Sequence, residues 1–164
     1  MSDVSSMIKE LGLAAHPEGG WYRRIFQSSR QFVDADGCHR DICTAIIYLL
    51  AGRDYSAFHR IDADELWQLG RHSSAVRLIE LDNGWRETLL DACNPVHCIA
   101  ANTWFAACLA EPDDNAYAQL YCTVAPGFDF SRFQLAGYAE LATAYPSLQQ
   151  QIFPLCHPQH REIG

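Results

Sequence analysis

Residues 52–70 read GRDYSAFHRIDADELWQLG. Within this segment, residues 55–61 and 65–69 are two short runs of the aromatic and aliphatic side chains typical of β-strands. The tripeptide Asp62-Ala63-Asp64 separates the runs and predicts a turn, because aspartate side chains hydrogen-bond readily to nearby backbone. The segment therefore predicts two strands joined by a tight connection.

His59 and Glu65 are the side chains in this segment best suited to chemistry. Two strands joined at the predicted turn would bring them together on one face, which Trp67 and Leu69 continue. An imidazole and a carboxylate can bind a metal through nitrogen and oxygen. Alternatively, the carboxylate can orient the imidazole as a general base. A partly buried histidine with a satisfied hydrogen bond is a third interpretation, and all three stay open.

The same pattern of short β-type runs continues on both sides of this segment. Asp82-Asn83-Gly84 separates two of them and predicts a hairpin, because Asn-Gly tolerates the positive φ of a tight turn. Closely spaced strands without intervening helices favour an antiparallel sandwich or barrel over a parallel α/β sheet. The further runs cover residues 21–26, 43–50, 75–81, 85–90, 96–101, 105–110 and 117–124.

Helical spacing of apolar residues occurs only near the two ends of the chain. Residues 3–12 predict a short helix capped by Ser2 or Asp3. From Ser131 onward the spacing predicts one or two short helices, interrupted at Pro146. The predicted fold class is therefore all-β, with a short N-terminal helix and short C-terminal helices.

Composition indicates one soluble domain over residues 1–164, with 49% hydrophobic residues. Twelve Lys and Arg against 20 Asp and Glu give a net charge of −8, which disfavours binding to nucleic acid. No apolar run reaches the ~18 residues that a membrane-spanning helix needs.

The cysteines and the N-terminal residues predict the cellular compartment. Seven cysteines cannot all pair within one chain, and MSDVSSMIKE lacks the basic and apolar regions of a signal peptide. We therefore expect reduced thiols and a cytoplasmic protein. The pairs Cys38/Cys43 and Cys93/Cys98 have C-x4-C spacing, which is not the spacing typical of a zinc ribbon.

Several blocks of the sequence resemble the cupin superfamily. Gly52, His59, Glu65 and Gly70 look like a variant of its first conserved motif. The blocks HPEGGWYRR, TAIIYLL, FHRIDADELWQLG and CTVAPGFDF resemble, in this order, one largely uncharacterised cupin family. The resemblance implies a cupin double-stranded β-helix (jelly-roll barrel), a pocket inside the barrel and a homodimer or higher homo-oligomer. It implies no assigned reaction, although similar proteins include metal-free sugar-nucleotide epimerases that use a barrel histidine as base.

The sequence departs from the metal-binding cupin pattern at several positions. Ile61 stands where a second histidine is expected, and Phe105 stands near the position of the last ligand. Asn102 replaces a motif glycine but tolerates the left-handed conformation of a turn. Only His59 and Glu65 remain as ligands if a divalent metal binds, so no cofactor is predicted.

Further ligand contacts are expected from the other blocks of this resemblance. Glu18 and Arg23, in the HPEGG block, would contact a ligand from the barrel mouth, where Arg23 or its neighbour Arg24 could pair with a phosphate or carboxylate. An ordinary salt bridge between Glu18 and Arg23 is the alternative. Asp129 would contact the ligand or, equally, cap the following helix.

Three more residues complete the expected ligand set. Tyr48 lies in the apolar run before the first motif and would act as an acid partner of His59, or be a core tyrosine bonded to backbone. Arg60 adjoins His59 in the sequence, and Trp67 shares the predicted face of Glu65.

These features lead to three hypotheses about function. The first is a metal-independent isomerase or epimerase acting on a sugar or sugar-nucleotide-like substrate, with His59 as base and Glu65 orienting it. The second is a barrel that binds or senses a small molecule without chemistry. The third, which the missing ligands disfavour, is a metal-dependent oxygenase.

Overall fold

Two antiparallel β-sheets face each other in the computed structural model, which describes residues 4–162. The strands that form the sheets and one separate hairpin are β1 (Ala14–Ala15), β2 (Trp21–Gln27), β3 (Gln31–Val33), β4 (His39–Asp41), β5 (Thr44–Ala51), β6 (Tyr55–Arg60), β7 (Asp64–His72), β8 (Val76–Leu81), β9 (Trp85–Leu90), β10 (Val96–Ile99), β11 (Trp104–Leu109), β12 (Tyr117–Ala125) and β13 (Gln134–Leu135). The first sheet has the order β1-β2-β5-β12-β7-β10, and the second has the order β13-β6-β11-β8-β9. The predicted all-β architecture is confirmed.

The helices lie at the two ends of the chain, as the sequence predicts. Helix α1 (Val4–Leu11) covers the outer side of β5, where Met7 packs against Ile47 and Leu49. The predicted cap at Ser2 or Asp3 lies outside the described residues. The C-terminal elements are α2 (Tyr138–Ala144), α3 (Gln149–Ile152) and the 3₁₀ turns Phe130–Arg132, Pro146–Leu148, Phe153–Leu155 and Pro158–His160. None of the helices within residues 4–162 has the length and apolar character needed to cross a bilayer.

The predicted pairing of the two strands around Asp62-Ala63-Asp64 is wrong. Strand β6 pairs with β11 and β13 in the second sheet, whereas β7 pairs with β10 and β12 in the first. The connection itself enters the core, because Ile61 and Ala63 are buried there with Val124. The chain therefore crosses from one sheet to the other, and His59 and Glu65 reach the barrel interior from opposite sheets.

The core fills one end of the space between the sheets. Its largest cluster includes Tyr48, Trp67, Phe105, Leu78 and Leu120, all nearly inaccessible to solvent. A second cluster lies between the outer face of the second sheet and helices α2 and α3. The hairpin at Asn83 and Gly84 joins β8 to β9 as predicted, with φ of 55° and 141° at these two residues.

One hairpin that the sequence does not reveal lies beside the barrel opening. Strands β3 and β4 pair only with each other. Arg40, at the centre of β4, is buried and donates to Asp62 Oδ2 at 2.6 Å and to the Gly127 carbonyl at 2.8 Å. These bonds attach the hairpin to the β6–β7 connection and to the segment that follows β12.

Candidate active site

A cavity opens between the two sheets, with about 450 Å³ of space free of atoms, its mouth included. It is narrow, because only about 30 Å³ of that space admits the centre of a water molecule. Its walls combine apolar side chains with one arginine and four carboxyl and imidazole groups, which come from the β1–β2 connection, β6 and β7. The lining residues are His16, Glu18, Tyr22, Arg24, Thr44, Ile46, His59, Ile61, Glu65, Cys122, Val124 and Phe128.

Glu18 and His59 form the polar centre of this cavity. Oε2 of Glu18 lies 3.2 Å from Nε2 of His59, and Oε1 of Glu18 accepts a hydrogen bond from the Ser56 hydroxyl at 2.8 Å. On the other side of the imidazole ring, Nδ1 of His59 lies 2.8 Å from the Ala57 carbonyl oxygen. All these side chains are buried. The ring of His59 also packs against Phe105, with the ring centroids 4.2 Å apart.

The HPEGG segment positions Glu18 by docking its backbone against β6. The Ala57 amide donates to the Glu18 carbonyl at 2.8 Å, and the Tyr48 hydroxyl donates to the Gly19 carbonyl at 2.6 Å. Gly19 has φ of +113°, and a Cβ at this position would overlap the Tyr55 carbonyl oxygen. Only glycine allows this close approach of two backbone segments.

The contact between His59 and Glu18 is best accounted for by one proton on the pair. A carbonyl oxygen only accepts, so the Ala57 contact places a hydrogen on Nδ1 of His59 and leaves Nε2 of the neutral ring as an acceptor. Facing Nε2, a carboxylate oxygen would be a second acceptor. Two bare acceptors at this distance would repel, so we infer that one of the two groups is protonated, either Glu18 as a carboxylic acid or His59 as an imidazolium.

Burial favours the uncharged form of this pair. It lowers the pKa of His59 to about 4, although the Ala57 carbonyl opposes this shift. It also raises the pKa of Glu18, and the opposing influence of His16 and the Ser56 hydroxyl is smaller. Because charge is costly in a buried site, we assign the proton to Glu18, whose Oε2 faces Nε2 of His59.

A second carboxyl group in the cavity is also protonated at neutral pH. Burial raises the pKa of Glu65 to about 8, and the proximity of Glu18 adds to this rise because the cavity disfavours two carboxylates together. The nearby indole N–H of Trp67 lowers the pKa of Glu65 and so opposes this rise. Nε1 of Trp67 forms no hydrogen bond within the described part of the chain. The cavity thus contains two carboxyl groups that do not carry charge.

The predicted roles of His59 and Glu65 need one correction. Both residues line the cavity, but Glu65 does not orient His59. The Ala57 carbonyl and Glu18 hold the two ring nitrogens instead. This difference follows from the crossing of the chain between sheets, which places Glu65 on β7 and His59 on β6.

Arg23 and Arg60 lie outside the cavity, contrary to prediction. Arg23 faces the outer side of β2, where its Nε donates to the Leu11 carbonyl at 2.6 Å. Arg60 donates to Gln134 and stacks on the ring of Trp104 at 4.3 Å. Each strand alternates its side chains between two faces, so the neighbours of inward-facing residues face outward.

The other expected ligand contacts have structural partners. Tyr48 and Trp67 are buried in the core with their rings in edge-to-face contact, and Tyr48 bonds to backbone as the alternative interpretation holds. Asp129 accepts from the Ser131 amide at 2.8 Å and caps the 3₁₀ turn that follows. None of these three residues lines the cavity, which corrects their assignment as ligand contacts.

The sequence does not predict His16, Ser56 or Tyr22 as ligand or catalytic groups, and it offers Arg24 only as an alternative to Arg23. His16 and Ser56 contact Glu18, and Tyr22 and Arg24 line the cavity from β2. Because side chains alternate along β2, Tyr22 and Arg24 share one face of the strand. The sequence does not show whether that face turns inward. The proximity of Ser56 to Glu18 depends on tertiary structure and has no local signal.

The residues of the cavity do not fit a bound metal. Within residues 4–162, no three His, Cys, Asp or Glu side chains converge as a set that could hold an ion. Nε2 of His59 already faces Glu18. Phe105 lies opposite His59 where β6 pairs with β11, and its side chain has no atom that binds a metal. Ile61 lines the same cavity with hydrocarbon.

Comparison with protein families identifies the fold and the family together. The sequence profile described as Cupin superfamily (DUF985) matches residues 5–136, which includes every lining residue of the cavity. The chain belongs to this cupin family. None of the curated proteins compared with this cupin matches it.

Solved structures share the fold of this cupin over nearly its whole length. A hypothetical protein from Leishmania major has 24% sequence identity and a TM-score of 0.85, with 95% of this chain and 99% of that chain covered. A protein from Shewanella oneidensis has 27% identity and a TM-score of 0.82, covering 96% and 99%. A cupin-2 domain from Rhodospirillum rubrum has 14% identity and a TM-score of 0.54, covering 80% and 78%. The predicted jelly-roll barrel is thereby confirmed.

Proposed function

We propose that this cupin binds a small polar molecule in the cavity and moves a proton on it, as a metal-independent isomerase or epimerase of a sugar-like substrate. The observation that carries the proposal is the contact of 3.2 Å between Glu18 Oε2 and His59 Nε2 on the wall of the cavity. A buried pair that shares one proton can take up a second proton or release the one it holds. This is the property that general acid–base catalysis requires.

The proposed reaction is a proton transfer at a carbon atom next to a carbonyl group. Glu18 passes its proton to Nε2 of His59 while its freed carboxylate accepts the proton from this carbon, and the electron pair of the broken C–H bond forms an enolate. The carboxylic acid of Glu65 stabilises the enolate oxygen by donating a hydrogen bond. Return of the proton to the opposite face, or to the neighbouring carbon, gives the epimer or isomer, so no oxidant or other co-reactant is needed.

The size of the cavity means that its walls must open to admit a sugar-like substrate. Only about 30 Å³ of its space admits the centre of a water molecule, far below the roughly 300–1,000 Å³ of small-molecule sites. A complete sugar nucleotide would extend out through the mouth. The apolar residues Ile46, Ile61, Val124 and Phe128 provide the non-polar part of the lining.

Solvent deuterium exchange tests the proposal without knowledge of the product. Metal-stripped protein is incubated in D₂O with a panel of monosaccharides, sugar phosphates, sugar acids and sugar nucleotides, and loss of C–H signal is followed by proton NMR. We expect exchange in at least one compound that also raises the melting temperature. The variant E18Q should reduce the exchange rate by about 10²–10⁴-fold, the usual contribution of a general acid or base.

The alternative is binding without chemistry, and the same experiment separates it. If compounds raise the melting temperature but none exchanges hydrogen, the protein is a binding module. Exchange that persists unchanged in both E18Q and H59Q would contradict the assigned pair. A matched control is S28A, because Ser28 lies outside the cavity lining.

A further inference from the structure

Arg24 is distinguished from the other arginines of the chain by a partly buried side chain that lacks a polar partner. Among the 11 arginines, all within residues 4–162, only the side chains of Arg24, Arg30 and Arg71 have no hydrogen bond, ion pair or ring contact to another described group. Arg30 and Arg71 are exposed to solvent, whereas Arg24 is half-buried and lines the cavity. Solvent satisfies the two exposed guanidinium groups, but Arg24 is partly withdrawn from it.

The position of Arg24 follows from the register of β2. Tyr22 and Arg24 face inward on this strand, and Arg24 lies opposite Ile46 of β5, another lining residue. The register shifts directly after Arg24, where a bulge interrupts the pairing with β5 before it resumes at Phe26. Bulges commonly re-aim side chains beside functional sites.

The distance along β2 relates Arg24 to the acid–base pair. The ring of Tyr22 packs on His16 with centroids 4.6 Å apart, and His16 contacts Glu18 at 3.4 Å. Arg24 is the next inward-facing residue, roughly 7 Å further along the strand. A group bound to Arg24 would thus lie in the same cavity as Glu18.

The charges of the lining leave Arg24 uncompensated. No carboxylate among the described residues lies within ion-pair distance of its guanidinium, although Glu18 and Glu65 line the same cavity. Burial raises the pKa of both glutamates, so neither supplies a full negative charge at neutral pH. The cavity therefore has a local positive charge within a chain whose net charge is −8.

We propose that Arg24 anchors an anionic group of the ligand, so that the substrate class is a small sugar-like acid bearing a carboxylate or a phosphate. This inference rests on the proposed function and specifies its substrate. A guanidinium binds either oxyanion through two parallel hydrogen bonds. The ligand's charge then neutralises the unpaired guanidinium of the lining.

The test compares pairs of compounds that differ in charge. D-Glucuronate is compared with its neutral methyl ester, and glucose 6-phosphate with glucose, by calorimetric titration at low salt. We expect the anion of at least one pair to bind about 10–100-fold more tightly than its neutral partner, the usual strength of a hydrogen-bonded charge. The pair that shows this difference identifies carboxylate or phosphate as the anchored group.

Variants of Arg24 connect this preference to the residue. R24M should abolish the difference between anion and neutral partner, whereas R24K should keep part of it because the charge remains. R23Q is the matched control, since Arg23 is the preceding residue on the outer face of the same strand, and it should behave as wild type.

The possible failures are distinguishable. Equal binding of anion and neutral partner, or a preference that survives R24M in folded protein, would overturn the role of Arg24 while leaving the proposed function intact. Absence of binding by every compound of both pairs would overturn this inference, whereas the proposed function fails only if no compound of the exchange panel binds. Circular dichroism establishes that R24M and R23Q are folded before titration.

Discussion

Glu18 Oε2 lies 3.2 Å from His59 Nε2 and 3.4 Å from His16 Nδ1. Both of these imidazole nitrogens act as acceptors in the uncharged site, because His16 Nδ1 accepts from the Glu18 amide and His59 carries its hydrogen on Nδ1, facing the Ala57 carbonyl. A protonated carboxyl can supply the donor that this arrangement requires. The arrangement therefore makes Glu18 the central residue of the site.

Substitutions of Glu18 should reveal its protonation state. In E18Q, the amide nitrogen can donate towards both histidines while the amide oxygen accepts from Ser56, so the free energy of unfolding should change by less than about 1 kcal/mol. E18A leaves the Ser56 hydroxyl and His59 Nε2 unpaired and should cost about 1–3 kcal/mol. Urea denaturation measures both values. Equal and large destabilisation in the two variants would indicate a carboxylate instead.

The pH dependence of stability should reveal Glu65. Its folded pKa of about 8 lies above the unfolded value of 4.5, so its stabilising contribution is present at low pH and is lost as the pH rises to about 8. His59, whose pKa falls from 6.5 to about 4 on folding, has the opposite effect and adds stability as the pH rises through that window. Below pH 6.5 the effects of Glu65 and His59 on the free energy of unfolding oppose each other. Between pH 6.5 and 8 His59 no longer contributes, so the free energy of unfolding falls.

The variant E65Q isolates the contribution of Glu65 to this profile. A glutamine side chain cannot ionise, so E65Q should lose at most about 2 kcal/mol less than wild type over this interval, and the fall that remains reports the proton retained by Glu18. Denaturant titrations at several pH values provide the comparison. A wild-type profile that already matches E65Q would mean that Glu65 ionises at an ordinary pH.

Gly19 should be essential to the placement of Glu18. A side chain at φ of +113° would be strained and would overlap the Tyr55 carbonyl oxygen. G19A should therefore lower the free energy of unfolding by about 1–3 kcal/mol and reduce ligand binding. The matched control is G137A, where φ is −77° and no atom lies within 4 Å of the new Cβ. Similar losses in both variants would contradict the close approach at Gly19.

The strands of the barrel could largely be predicted because their signals are local. Apolar runs and the Asn83-Gly84 turn place β5, β8 and β9 within a residue or two of their observed bounds. The hairpin of β3 and β4 escaped prediction. Its three β3 side chains are exposed, so no alternation of apolar and polar residues marks the strand.

The site was less accessible to sequence reasoning because it depends on contacts between sheets. His59, Glu18 and Glu65 were identified as candidates, but the partner of His59 was assigned to the wrong glutamate. The sequence places Glu65 near His59, whereas the fold brings Glu18 to it from the HPEGG segment. Similarly, the choice between Arg23 and Arg24 depends on which face of β2 turns inward.

Nitrogen-15 NMR of histidine-labelled protein tests the central claim most directly, since it needs no ligand. The His59 signals are assigned by their loss in H59Q and followed between about pH 5 and pH 8, a range in which an ordinary histidine titrates. We predict a neutral ring protonated on Nδ1 throughout, with Nε2 accepting the proton of Glu18. An imidazolium at neutral pH would contradict the assignment of the proton to Glu18, and a ring protonated on Nε2 alone or titration near 6.5 would contradict the pair itself.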